Sequence, residues 1–297
     1  MKKVFGNKRL EPWLLLAPAL LLIILLMGYP IFDNIRISLL DYNLIRPKAI
    51  RFNNFANYVK LFTDRSMWQI LRNSLQWGLM IVPAQAVIGL ALAMLLNRRF
   101  ACKNAFQSVL FLPWAMAGFM IGLIFRWIFS EQTGLLNYAL TSLGIIQAPI
   151  SWLVERVTIF IGPALGMVWY GVPFFAIMFL AALQSIPHEI IESSMIDGAS
   201  TVQRFTHVVL AFIKPTIVTT LLLRMIWVFN SADVIYIMTG GGPMSMSTTL
   251  PLYAFKQAFS AFDFGYAATI GNVVMIVLLV YALFFLKITK YKDLGDF

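Results

Sequence analysis

Charge is scarce in this sequence, and cysteine and histidine are scarcer still. Only 12% of the 297 residues are Asp, Glu, Lys or Arg, about half the share of an ordinary soluble domain. A chain this long could not cover a water-facing surface with so little charge. That excludes a soluble globular enzyme, a disordered chain and a nucleic-acid-binding domain. The single cysteine, Cys102, excludes an internal disulfide framework and any multi-cysteine metal site. The two histidines, His188 and His207, are not spaced as the His-Glu-x-x-His helix of a zinc protease. No Ser–His–acid set can be assembled from them inside a membrane. No G-x-x-x-x-G-K-[ST] phosphate loop is present, so the chain is not expected to hydrolyse ATP itself.

What is abundant is apolar. Hydrophobic residues make up 60% of the chain, and the mean hydropathy is +0.80. A helix needs about 20 mostly apolar residues to cross a bilayer. Six such runs occur, at about 12–32, 73–97, 104–129, 157–183, 215–238 and 264–286. They are continuous rather than alternating, which argues against a β-barrel. The expected fold is an all-α membrane protein of six transmembrane helices, forming a single domain over 1–297. The first run follows Lys2, Lys3, Lys8 and Arg9, as a signal peptide would, but is too long for one and lacks a clean cleavage site. It reads as a retained helix.

The formal net charge is +10. In a membrane protein such an excess marks cytoplasmic loops and contact with anionic lipid. Arg98, Arg99 and Lys103 fill one short connection, and Lys287, Lys290 and Lys292 follow the last span. Both termini are therefore expected inside. The first outer loop is long and aromatic. Its 57–71 stretch, with Tyr58, Phe62 and Trp68 beside Lys60, Asp64 and Arg65, reads as a helix lying on the membrane surface or as a packed outer cap. A later outer loop opens with Gly240, Gly241, Gly242 and Pro243, a run that cannot continue a helix.

The inner segment 188–214 holds most of the polar chemistry on its side. His188–Met195 favours helix. Asp197-Gly198 signals a turn. A second helix can start at Ala199, with Ser200 or Thr201 near its N-terminus and Asp197 as a further candidate cap. Pro215 suits the first turn of the next span. Such a helix–turn–helix knob suits docking into a cleft on a soluble partner.

At this point the sequence resembles a known family. Glu192-Ser193-Ser194-x-x-Asp197-Gly198-Ala199, followed by Phe205, Val208, Leu210 and Pro215, is similar to the EAA loop of binding-protein-dependent ABC importer permeases. Ser193 and Ser194 replace the family's alanines, and Ala211 stands where a proline usually follows Leu210, so the second loop helix should run straighter. Leu16-Ala17-Pro18-Ala19, Tyr29-Pro30, Asn57-Tyr58, Asn73-Ser74, Phe111-Leu112-Pro113-Trp114 and Trp169-Tyr170-Gly171-Val172-Pro173-Phe174 resemble the carbohydrate members. Thr239-Gly240-Gly241-Gly242-Pro243 resembles the first permease subunit of maltose-type or glycerol-phosphate-type systems.

The resemblance implies a type I importer permease with a cytoplasmic coupling loop, in a bacterial inner membrane, working by alternating access. It implies a second permease subunit, an ATPase dimer carrying ATP and Mg, and an extracytoplasmic solute-binding protein. This subunit itself would be non-catalytic, with no cofactor, no metal and no nucleic-acid partner. Glu192, Ser193, Ser194, Asp197, Gly198, Ala199 and Phe205 would couple to the ATPase. Gly240, Gly241, Gly242 and Pro243 would face the binding protein or the outer gate.

Ionisable residues within a span are rare and default to functional candidates. Arg224 lies in the fifth span, with Thr220, Val228 and Ser231 on its face at helical spacing and Trp227 beside it. The resemblance puts Tyr170, Gly171 and Phe174 of the fourth span across from it. Aromatic faces with hydrogen-bonding groups suit a sugar ring, and a guanidinium fork suits a carboxylate, sulfonate or phosphate. The expected cargo is a carbohydrate, with Arg224 pointing to an anionic one. Arg224 could instead meet Asp233 or a neighbouring subunit's acid, or snorkel to the interface. A secondary transporter of a small polar solute is the alternative. It would want an inverted repeat and buried ion-coupling acids. No repeat is seen, and Asp233 is the one acid deep in a span.

Overall fold

The computed structural model describes residues 11–46 and 50–289. Lys2, Lys3, Lys8, Arg9, Lys48, Lys290 and Lys292, part of the charge used for orientation, lie outside the described residues. Apart from two isolated bridges, Leu40 to Phe52 and Asn43 to Asp263, the regular structure of the described residues is helical. The chain divides into two compact units, one from residues up to Asp64 with Ala254–Met275, the other from Arg65–Tyr253 with the residues from Ile276 on.

In the first unit, α1 (Glu11–Ile23) passes through a π-helical turn, Ile24–Gly28, into α2 (Tyr29–Ser38). Together they give a 24-residue apolar run over Leu15–Ser38. A short α3 (Ala56–Thr63) follows. A polar knot closes the unit. Asn272 Nδ2 donates to Ser38 Oγ and Tyr58 Oη, each at 3.0 Å. Asn34 Nδ2 donates to Asn272 Oδ1 at 2.7 Å. Buried amides are satisfied this way because an unmade bond costs about 1–3 kcal/mol. Lys60 lies 3.7 Å from Asp263 and 4.0 Å from the centre of the Tyr266 ring.

The second unit begins with α4 (Arg65–Leu96), a 32-residue helix. The surface helix expected over 57–71 is therefore divided. Asp64 is extended, with ψ of 117°, and Arg65 onward is the start of α4 rather than part of an amphipathic cap. The third run is not one straight helix. α5 (Lys103–Phe111) leads through a 3-10 turn at Leu112–Ala115 and a 98° bend into α6 (Gly118–Ile128). Pro113 lacks an N–H to continue the ladder, and Met116 and Ala117 are extended. Among the described residues, five helices are long and apolar enough to cross a membrane, and six if the bent pair is one span.

After α7 (Leu135–Ser142) comes α8 (Ile161–Gln184). It packs along α4 in the same direction: Trp77 meets Phe160, Gln85 meets Met167 and Gly89 meets Phe175. A Cβ at Gly89 would collide with Phe175, so the glycine sets the close approach. Small residues do this between membrane helices, where lipid tails remove the hydrophobic drive for association. Then follow α9 (His188–Ile196) and α10 (Thr201–Gln203). A π-helical stretch, Arg204–Val209, joins α10 to α11 (Leu210–Asn230) as one 30-residue run. Pro215 lies inside this run, not at its start. The helix stops at Ser231, whose ψ is 116°, and α12 (Asp233–Thr239) is a separate short helix. The fifth span thus ends before Met238. The final elements are α13 (Leu250–Phe259) and α14 (Phe264–Ile288).

Candidate functional site

The core of the second unit is built from Trp77, Phe175, Phe179, Val228 and their neighbours. One basic side chain reaches into it. Arg224 is only 3% exposed. Its Nε donates a 2.8 Å hydrogen bond to Gln85 Oε1. Gln85, itself fully buried, donates from Nε2 to the Met167 carbonyl. Arg224 Cζ lies 5.7 Å from the Tyr170 ring centre and 5.9 Å from that of Phe174. Nη2 is buried and has no hydrogen-bond partner.

Magnitudes show why this matters. An arginine at the centre of a membrane helix costs about 3 kcal/mol on insertion scales. A hydrogen bond to a charged group returns roughly 1.5–3 kcal/mol. Gln85 offsets most of the penalty, but the amide brings no negative charge. Among the described residues no ion pair joins Arg224 to an acid. Asp233, the expected intrachain candidate, is exposed and lies beyond the helix break.

Arg224 lines a cavity of about 610 Å³ with Trp114, Tyr170, Trp227, Asn230 and Asp233. That volume falls in the roughly 300–1,000 Å³ range of small-molecule sites. Trp227 is 47% exposed and packs its ring centre 5.1 Å from that of Phe174. The Trp114 ring centre lies 6.0 Å from that of Phe174. Ser231 also lines the cavity, and Trp77 Nε1 lies 3.5 Å from its Oγ. Gly171 is needed by space: a Cβ there would run into Gln85 and Arg224. The structure thus brings Tyr170, Arg224, Trp227 and Ser231 to the wall of one cavity, with Gly171 and Phe174 buried behind it. Sequence reasoning missed Gln85, Trp114, Asn230 and the placing of Asp233 here. A glutamine inside an apolar run was the available signal for the first.

The glycine run lies at the end of α12. Gly240, Gly241 and Gly242 have φ of +60°, +92° and +68°, all in the left-handed region that glycine enters freely. Gly240 closes α12, its N–H reaching the carbonyls of Ile235 and Tyr236. The loop is tied down from α4. Asn73 Nδ2 donates to the carbonyls of Ser245, Met246 and Thr248 at 3.2, 3.0 and 3.0 Å. Ser74 Oγ accepts from the Leu250 N–H at 2.7 Å. Gly242 and Pro243 line a cavity of about 350 Å³ beside Arg126.

The 188–214 segment lies beyond the opposite end of α8 from Phe160. Gly198 turns the chain with φ of +77°, and no atom lies within 4 Å of where its Cβ would be. Ser200, not Asp197, caps the second helix: its Oγ accepts from the Gln203 N–H, and Gln203 Oε1 accepts from the Ser200 N–H. This reciprocal capping box satisfies two otherwise orphaned donors. Asp197 instead ends α9. Glu192, Ser193, Asp197 and Gly198 are exposed, Ala199 and Phe205 half-buried, and Ser194 buried with its Oγ donating to the Ile191 carbonyl at 2.6 Å. Ile196 is 85% exposed and Val202 71%, so the knob offers an apolar tip beside the exposed carboxylates of Glu192 and Asp197.

Comparison with known proteins places this geometry. Residues 85–289 match the family described as binding-protein-dependent transport system inner membrane component. The chain is 34% identical over 285 residues to the sulfoquinovosyl glycerol transport system permease protein of Agrobacterium fabrum, covering 96% of this chain and 92% of that one. It is 28% identical to the trehalose/maltose transport system permease protein MalF of Thermococcus litoralis, with 94% of each chain covered. A crystal structure of a bacterial ABC transporter importing the acidic polysaccharide alginate superposes with a TM-score of 0.78 at 21% identity, over 95% of this chain and 97% of that one.

Proposed function

The chain belongs to the binding-protein-dependent transport system inner membrane components, and from that premise we propose that it forms part of the translocation path for a carbohydrate carrying an anionic group. It is an ABC importer permease, and the alternative of a secondary transporter is set aside by the family match. The saccharide transport named for its relatives supports a sugar as cargo. The anionic group rests on one observation: Arg224 is buried in a cavity-lining position, held by Gln85, with Nη2 unpartnered and no acid paired to it among the described residues. A carboxylate or sulfonate would complete that donor set with charge-assisted bonds. Trp227, backed by Phe174, would face the sugar ring, and Asp233 and Asn230 its hydroxyls.

In this reading the Glu192–Phe205 segment docks into a cleft of an ATPase subunit, with Ile196 and Val202 as apolar anchors. ATP and Mg sit on an ATPase dimer, and this subunit carries no catalysis. A second permease completes the path. A solute-binding protein meets the Gly240–Pro243 face. Both termini lie in the cytoplasm and the chain in a bacterial inner membrane.

Uptake of glucuronate against glucose by the reconstituted importer tests the cargo. Arg224→Gln should lower glucuronate uptake about tenfold or more, the worth of one charge-assisted bond, and leave glucose, if carried, little changed. Equal loss of both, or transport of the neutral sugar alone, refutes the anionic cargo and leaves Arg224 as the partner of a neighbouring subunit's acid.

A further inference from the structure

A second cavity, of about 620 Å³, opens at the N-terminal end of α4 and is lined there by Trp68, Arg72, Asn73 and Gln76, with Arg156 and Met246 opposite. No acid lines it, and among the described residues neither Arg72 nor Arg156 forms an ion pair. Two uncompensated guanidiniums thus face one concave site. Trp68, 59% exposed, adds an aromatic face, and Gln69 and Gln76 add amides. The far wall is fixed, because Asn73 ties the 245–248 backbone to α4. A concave site with a few convergent polar groups suits a small ligand, and a fork of donors suits a carboxylate or sulfonate.

The site has a fixed relation to Arg224. Arg72 and Gln85 are on the same helix, and at 1.5 Å per residue they are about 20 Å apart along its axis. Trp77 lies between them. It is fully buried, its ring centre is 6.2 Å from that of Phe160 at the second cavity, and Nε1 reaches Ser231 at the first. We propose that Trp68, Arg72 and Arg156 form a second saccharide subsite that holds the anionic group of the cargo before it passes the Trp77–Phe160 layer to Arg224. This rests on the reading of the cargo as an anionic carbohydrate.

The test is equilibrium binding of radiolabelled glucuronate, with glucose as the neutral counterpart, to the full chain in lipid nanodiscs without binding protein. Two classes of glucuronate site are expected. Arg72→Gln combined with Arg156→Gln should weaken one of them about tenfold or more, and the double lysine variant should restore part of the loss. Exposed arginines are screened by salt more than a buried one, so that class should also be the one lost at 1 M salt. Arg224→Gln should weaken the other class. Unchanged glucuronate binding in the Arg72/Arg156 double glutamine variant overturns the second subsite and leaves the Arg224 reading standing. An effect of that variant alone, with none from Arg224→Gln, upholds the second subsite and sinks the Arg224 assignment. If glucuronate binding is unchanged and binding-protein stimulation falls for every sugar alike, the arginines contact protein and the subsite is refuted. Equal affinity for glucose and glucuronate refutes both.

Discussion

Gln85 and Arg224, 139 positions apart in sequence, are joined by a 2.8 Å hydrogen bond inside the protein. The pair fixes the guanidinium toward the cavity without cancelling its charge. An acid at position 85 would have held the arginine equally well and removed its use for an anion.

That distinction can be tested directly. Gln85→Glu trades the donor to the Met167 carbonyl for an ion pair with Arg224, so it should fold with some loss of stability but abolish any preference for glucuronate over glucose in reconstituted uptake. Gln85→Leu should instead destabilise the protein by about 1.5–3 kcal/mol, the worth of a hydrogen bond to a charged group, seen as a lower midpoint of thermal unfolding. A retained acid preference in Gln85→Glu would mean that Arg224 does not read the cargo.

Gly171→Ala should disturb the same site from the other helix. The added methyl meets Gln85 and Arg224, and overpacking costs about 1–3 kcal/mol. Uptake should fall about tenfold while the chain still reaches the membrane. Normal uptake would show that the Gln85–Arg224 geometry is not needed for transport.

Gly198 separates folding from docking. Its φ of +77° lies in open space, and Asn and Asp enter that region more readily than other side chains. Gly198→Asn and Gly198→Asp should shift stability by only about 1 kcal/mol. Both should nonetheless cut substrate-stimulated ATPase activity severely, because the new side chain projects where a partner cleft would close. Full stimulation in Gly198→Asp would remove the segment from the coupling surface.

The outer glycines differ among themselves. A Cβ at Gly242 would meet Ile159 and come within 3.0 Å of Ser247 Oγ, whereas at Gly240 the nearest atom is 4.0 Å away. Gly240→Asn should therefore leave basal ATPase activity and binding-protein stimulation near normal. Gly242→Leu should displace the loop and lower stimulation while basal turnover persists. Equal loss of both activities in Gly242→Leu would point to misfolding rather than a lost binding-protein contact.

Some of this was legible residue by residue. The turn at Gly198 and the helix stop at Gly240 follow from dihedral freedom over a few positions, while side-chain reach narrowed the cap only to Ser200, Thr201 or Asp197. Arg224 was conspicuous because a charge in an apolar run needs a reason. Gln85 was not, since an amide in the same setting has many possible partners. The bend after Pro113 and the break at Ser231 were also missed. An apolar run satisfies the length rule whether its helix is straight or folded back on itself.

By itself the sequence determined the class: too little charge for water, apolar runs long enough for lipid, and a spaced Glu–Asp–Gly loop between the fourth and fifth. These are local properties, set by composition and by dihedrals within a turn. Only the tertiary structure decided which polar groups meet. Asn73 holds the glycine loop, Gln85 holds Arg224, and Trp77 stands between two arginine-lined cavities. Helical periodicity limits which face a residue takes. The partner on that face depends on how α4, α8 and α11 lie against one another, and that is settled by close approach at Gly89 and Gly171, many positions away in the chain.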